Sequence, residues 1–292
     1  MDVPPQSPLY RSIQKDRYSR QEKIVEIENL TGRKLIVYIT NMRHPLAFIN
    51  RDDIAPFADL LQNLENVDLD LLLQSPGGDI DIAEKIIYMC RNNSKSFRVI
   101  VPESAKSAAT LITLGADSIV MGYTSELGPI DPQVTVTTAS GKEMQRPAQS
   151  FLDGLEEIKR AVVEEGRLSP VYFPLLEHLD PALIDYCNKS IERSKTFAEK
   201  WLAKHMFKDN PDKAKTVAEK LADTKKYLSH GIVIDVNEAT NEIGLKVEFI
   251  SKTDELWQAI WRLYCDYLID IAQRNVLKIF ESKDISIPIA AQ

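Results

Sequence analysis

Apolar and polar positions along this chain change period several times, and the changes divide it into strands and helices. KLIVYIT (34–40) is a run of β-branched and apolar residues, the mark of a strand buried on both faces. RDDIAPFADLLQNL (51–64) carries apolar residues at helical spacing, and VDLDLLLQS (67–75) returns to a strand. The chain then passes through Pro76, Gly77 and Gly78 into DIDIAEKIIYMCRNN (79–93), where acidic residues in the first turn precede an apolar stripe, so a helix is expected. FRVIVP (97–102) predicts a third strand, SAKSAATLITLG (104–115) a helix built from small residues, and SIVM (118–121) a fourth strand.

Strands alternating with helices imply an α/β fold around a mostly parallel sheet with right-handed crossovers. From 149 to 227 the pattern is helical, broken at Pro170, Pro174, Pro181 and Pro211, which predicts an inserted helical layer. GIVIDVNEATNEIGLKVEFI (231–250) predicts a short helix capped by Asp235 or Asn237 and closed by Gly244, followed by a strand. Residues 254–280 are amphipathic, with Trp257, Ile260, Trp261, Tyr264, Leu268 and Ile271 at helical spacing. The expected organisation is an N-terminal arm (1–33) leading into a short helix, an α/β domain (34–250) with its insertion at about 149–227, and a C-terminal helical extension (251–292). A partner subunit is expected to hold the arm.

Composition narrows the function classes. With 44% hydrophobic and 27% charged residues, the 292-residue chain reads as globular. A net charge of -7 argues against nucleic-acid binding, which needs clustered Lys and Arg. Apolar runs fall short of a bilayer span and no signal region opens the sequence, so a cytoplasmic protein with no membrane span is expected. Cys90, Cys187 and Cys265 are far apart and read as plain thiols, and no residue cluster has metal-ligand spacing.

Two short motifs carry chemistry. SPGGDI (75–80) places glycines between a strand and a helix start, where free backbone N–H groups suit an anion. ESAKSAATL then sets Ser107 at the start of the next helix among Ala105, Ala108 and Ala109, leaving room for a substrate. Both motifs fall at the C-terminal ends of parallel strands, where open α/β sheets place their sites. Taken alone, the glycines suit any tight turn and Ser107 any helix cap.

Together the motifs resemble the Clp proteases of the ClpP/crotonase-like superfold, in which SPGG is followed, at this spacing, by the nucleophilic serine in a small-residue motif. The resemblance implies Ser107 as nucleophile and an oxyanion hole formed around Gly77, Gly78 and Ala108, with the N–H groups of Gly78 and Ala108 as donors. Carried further, it aligns the catalytic histidine of Clp proteases with Asp131 in LGPIDPQ, while His230 in SHGIVIDVNEATNEIGL stands near the place of their aspartate. Acid and base are thus exchanged, and the order Ser107, Asp131, His230 resembles the archaeal and bacterial serine dehydrogenase proteinase family over residues 34–250.

That resemblance implies a serine peptidase acting on a peptide or protein substrate through an acyl-enzyme, without cofactor, in a homo-oligomer. The alternative is a catalytically degenerate assembly or binding protein that kept the superfold and lost its base; a crotonase-like acyl-CoA enzyme would not need Ser107. Should His230 fall out of reach, Lys106, Lys142 or Lys159 could serve as base, although Lys106 adjoins the nucleophile and is expected to face away from it. His178 and His205 lie in helical segments and His44 in a loop, with no catalytic reading.

Overall fold

The computed structural model describes residues 7–137, 141–167, 169–172, 180–223, 226–227 and 231–291. Helices α1 (Pro8–Ile13) and α2 (Lys15–Thr31) lead into strand β1 (Lys34–Thr40). A 3-10 turn and α3 (Ile54–Leu61) precede β2 (Val67–Gln74), α4 (Ile80–Asn92) and β3 (Ser94–Val101). There follow β4 (Ser104–Ala105), α5 (Ala108–Leu114), β5 (Ser118–Met121), β6 (Glu126–Leu127) and the hairpin β7 (Gln133–Thr137) and β8 (Glu143–Pro147). The helical layer comprises α6 (Ala148–Glu165), α7 (Pro181–Lys204) and α8 (Pro211–Leu221). Strand β9 (Val247–Phe249), α9 (Glu255–Arg274), β10 (Val276–Glu281) and β11 (Ser286–Ala290) complete the chain.

The main sheet has seven strands in the order β11-β10-β1-β2-β3-β5-β9. The five from β1 to β9 run parallel, whereas β10 pairs antiparallel with β1 and β11 antiparallel with β10. This is the α/β class with a mostly parallel sheet that the alternating pattern predicts. Strand residues alternate between two cores, as a period of two requires. Ile36, Tyr38, Leu71, Leu73, Val99 and Val101 pack with α3, α4, α5 and the helical layer, while Leu35, Val37, Ile39, Leu72 and Ile100 pack against α2 and α9.

Both chain ends depart from expectation. The arm is held by its own chain: Arg20 of α2, 2% exposed, binds Glu281 through Nε (2.7 Å) and Asp270 through Nη1 (3.0 Å). Tyr267 donates to the same Glu281 at 2.6 Å. The C-terminal extension is helical only as far as Arg274, because Asn275 turns left-handed (φ 51) and the chain re-enters the sheet as β10. The presumed continuation of the amphipathic helix is therefore a buried strand, in which Lys278 is neutralised by Asp53 (2.6 Å) and Glu281 by Arg20. Asp235, accepting from the Glu238 N–H at 2.9 Å, caps the short π-helical turn 238–243; Asn237 makes no side-chain cap bond, and Gly244 closes the turn as expected.

Removing one partner of a buried ion cluster leaves the others desolvated and unpaired. Arg20→Met is therefore expected to cost about 3–5 kcal/mol, read from the denaturant midpoint. Arg262→Met, which removes the exposed pair with Glu26, should cost less than about 1 kcal/mol; equal losses would refute the buried cluster as the clasp.

Candidate active site

The glycine turn is built by two neighbours. Beyond β2, the Ser75 N–H donates to the Ser104 carbonyl (3.2 Å) and the Ser75 carbonyl accepts from Lys106 (3.0 Å), joining the end of β2 to β4. The loop before α3 clamps the other side: Ile49 N–H donates to the Gly77 carbonyl (2.7 Å), and the Ile49 carbonyl accepts from Asp79 (2.9 Å). Gly77 and Gly78 have φ of 100° and 145°. A Cβ on Gly78 would lie 2.3 Å from the Ile49 carbonyl oxygen, and one on Gly77 would lie 2.7 Å from both the Lys106 carbonyl oxygen and Ser107 Cβ. Only glycine permits this approach. Asp79 then caps α4, accepting from the Asp81 N–H at 2.8 Å.

Ser107 stands where the short strand β4 turns into α5. The helix predicted from 104 starts only at Ala108, since residues 104–105 are taken up by pairing with β6. Ser107 has φ 53° and ψ -119°, a conformation that costs a non-glycine residue about 1–3 kcal/mol. The other non-glycine residues with positive φ among the described residues are Asn66 and Asn275, a type that tolerates it. The Ser107 side chain makes no capping hydrogen bond, so local bonding does not offset the strain. A serine with strained backbone angles on a sharp strand-to-helix turn has the same local backbone setting as a nucleophile elbow.

The backbone donors around Ser107 differ in availability. The Gly77 N–H is already donated to Ser75 Oγ (3.2 Å). Ala108 is the first residue of α5, so its N–H has no intrahelical acceptor. A Cβ on Gly77 would meet the Ala108 nitrogen at 3.0 Å, so the glycine turn and the α5 start are in direct contact. The hydrogen bonds of the Ile49 clamp use the Gly77 carbonyl and the Asp79 N–H, leaving the Gly78 N–H without an acceptor among the described residues.

Asp131 is 4% exposed and its carboxylate accepts from Gln133 Nε2 at 2.9 Å. Its segment follows β6 and is anchored to α5, where Thr110 Oγ1 lies 2.9 Å from the Gly128 carbonyl oxygen and accepts from the Gly128 N–H at 3.2 Å. His230 lies outside the described residues. The chain just after it is tied to the same corner: Ile234 pairs with Leu127 through two backbone bonds (2.9 and 3.1 Å), and the Ile232 carbonyl accepts from Lys106 Nζ (3.0 Å).

Lys106 is thus a brace. Its ammonium also binds Glu126 (2.8 Å) and the Leu127 carbonyl (3.2 Å), so it faces away from Ser107, as neighbouring positions at a helix start should. Lys159 is an exposed residue of α6 paired with Glu156, and Lys142 directly precedes β8. His44 Nδ1 accepts from the Leu46 N–H (3.2 Å) within the loop that carries Ile49. That loop, one wall of the glycine turn, had no chemical reading in the sequence; its signal is only the bulk of Ile49 against Gly78. His178 lies outside the described residues, and His205 ends α7 far from this corner.

Residues 48–278 match the family model described as ClpP-like SDH-type serine proteinase. Among curated proteins, an uncharacterized protein of Methanocaldococcus jannaschii is 28% identical over 232 residues, covering 77% of this chain and 70% of that protein. A second from the same organism is 30% identical over 180 residues, and there the match spans about half of the relative's length, 53%. Among solved structures, the 1510-N membrane-bound stomatin-specific protease shares 16% identity at a TM-score of 0.44, covering 73% of this chain and 79% of that one. ClpP1 from Listeria monocytogenes shares 13% at 0.43, covering 78% and 98%.

If the Gly77 contact sets the elbow, Gly77→Ala must combine backbone strain with a collision against main-chain atoms. It is expected to lower stability by more than about 2 kcal/mol. Gly32→Ala, at φ 68° where an added Cβ would meet no described atom within 4 Å beyond its chain neighbours, should cost about 1 kcal/mol. Thermal unfolding of both variants checks the difference; equal shifts would mean that Gly77 is needed for its dihedral alone.

Proposed function

The chain belongs to the family of ClpP-like SDH-type serine proteinases, and from that membership we propose that it cleaves peptide bonds with Ser107 as nucleophile, Asp131 as the acid of the triad and His230 as general base. The observation that carries this reading is the strained, uncapped Ser107 packed against the glycine turn. Strain of this kind persists where the surroundings over-determine it, and a serine so held is poised for attack.

In the proposed reaction His230 accepts the Ser107 proton as the hydroxyl oxygen bonds to the scissile carbonyl carbon. The carbonyl oxygen becomes an oxyanion and accepts from the N–H groups of Gly78 and Ala108. Gly77 contributes by lacking a side chain, its own N–H being engaged by Ser75. The imidazolium returns the proton to the leaving amine, an ester joins the acyl group to Ser107, and a water activated by His230 hydrolyses it. Burial of the Asp131 carboxylate, with Gln133 holding one oxygen, supports its role as the group that orients and stabilises the imidazolium.

The segment that carries Asp131 and the described chain just after His230 meet at the residue next to Ser107. Lys106 adjoins the nucleophile and holds the carbonyls of Leu127 and Ile232, on the stretches that carry Asp131 and His230 respectively. A subunit assembly like that of other proteinases of the superfold fits the same reading, and among the described residues no helix is long and apolar enough to cross a membrane.

A fluorophosphonate probe is expected to label the wild-type chain at Ser107 and to leave Ser107→Ala unlabelled. Asp131→Asn should lower kcat for a peptide substrate by about 10³–10⁴-fold, and His230→Ala by at least as much. Absence of labelling and of peptide turnover in the wild-type protein would overturn the peptidase reading in favour of a catalytically silent assembly.

A further inference from the structure

At the opposite edge of the sheet, by the N-terminal ends of β3, β5 and β9, lies an open cavity of about 550 Å³. Five basic side chains line it, Arg91, Lys95, Lys204, Lys208 and Lys246, against the two carboxylates of Asp117 and Asp209. In a chain of net charge -7 this is a local reversal of sign. Asp117 is consumed within the wall, binding Arg91 Nη1 (2.9 Å) and the Phe97 N–H (2.8 Å). Lys95 pairs with Asp68 (2.9 Å). Lys204, Lys208 and Lys246 form no ion pair among the described residues, Lys204 instead resting over the Trp201 ring at 5.4 Å.

Two nitrogens at the wall are left over. Arg91 spends Nε on the Gly115 carbonyl (2.8 Å) and Nη1 on Asp117, yet its buried Nη2 has no partner among the described residues. His205, stacked on Trp201 with centroids 5.5 Å apart, likewise buries Nε2 with no partner among the described residues. Leaving a buried guidinium or imidazole donor unmet costs about 1–3 kcal/mol, more for the charged group, so an acceptor in the cavity would recover that cost at both. Burial, and then the charge of Arg91, pushes His205 down to about 4, so at neutral pH the ring is uncharged and can donate through Nε2 without adding to the desolvation of its neighbours.

We propose that this cavity binds a phosphate group, most suitably the phosphate of a small phosphorylated molecule, with Arg91 and His205 as the inner donors and Lys204, Lys208 and Lys246 as the outer charges. A tetrahedral dianion supplies several acceptors at once to a guanidinium, an imidazole and ammonium groups. The volume falls within the range of small-molecule pockets and exceeds what a bare ion occupies. The site is remote from Ser107 and does not depend on the peptidase reading.

Inorganic phosphate, pyrophosphate and adenosine monophosphate would be titrated into the full chain, following the His205 imidazole by heteronuclear NMR and the binding heat by calorimetry. Saturable His205 shifts with at least one probe are expected. Replacing both exposed lysines, Lys204→Glu with Lys246→Glu, should weaken that probe by at least about tenfold while unfolding stays unchanged. Tighter binding of the monophosphate would identify an ester as ligand, and equal binding the free anion; both support the site. No saturable shift at millimolar concentrations of any probe, or affinity unchanged in the double variant, would overturn it.

Discussion

The contact on which the site depends is that between the bare Cα face of Gly77 and the Ser107 turn. It joins the ends of two successive βα units, bringing the glycine turn that precedes α4 against the first residue of α5. Each half would be commonplace alone: a glycine turn capped by Asp79, a serine preceding a helix. Brought within van der Waals contact, they set the strained Ser107 against a turn already fixed by the Ile49 clamp, as the proposed peptidase chemistry requires. The parallel sheet supplies the alignment, since adjacent parallel strands end on the same edge.

A sheet buried on both faces must be closed at its antiparallel margin, and here charge does much of that work. Lys278 reaches Asp53, to which Tyr38 also donates (2.7 Å), and Glu281 takes Arg20 and Tyr267. Burial and the Glu281 charge drive the Tyr267 hydroxyl well above its ordinary value, as burial and Asp53 do for Tyr38, so both remain donors throughout the accessible pH range. These groups tie β10 to residues more than two hundred positions earlier in the chain. Such pairs contribute less net stability than their geometry suggests, because desolvation opposes attraction; their effect is to make a shifted register leave charges unpaired.

The legible parts of the sequence are those whose cause is local. The strand β1 coincides with KLIVYIT because a two-sided apolar run has one reading, and the glycines and Ser107 stand out because backbone geometry restricts what can occupy them. VLKIFE, by contrast, continues an amphipathic helix on paper; what makes it a strand is neutralisation of Lys278 and Glu281 by Asp53 and Arg20, partners far away in sequence. The early start assigned to α5 fails for a similar reason, since Ser104 and Ala105 are claimed by β6. Lys106 could be placed facing away from Ser107 by helix geometry alone, but its function as a brace between Glu126, Leu127 and Ile232 requires three segments to be folded together.

The strain at Ser107 also needs an account, because a short helix could relax by rotating its first turn. Helix α5 is prevented from doing so at both ends. At its beginning, Gly77 blocks the backbone and Thr110 is fixed between the carbonyls of Ala105 (2.8 Å) and Gly128 (2.9 Å). At its end, Arg91 Nε holds the Gly115 carbonyl, and Ile87 packs so closely on Gly115 that a Cβ there would lie 2.5 Å from it. All seven residues between are buried, and a close-packed interior resists the small rotation that would release Ser107. The geometry of Ser107 is therefore maintained by the whole length of the helix, including the arginine that lines the basic cavity on the far edge of the sheet.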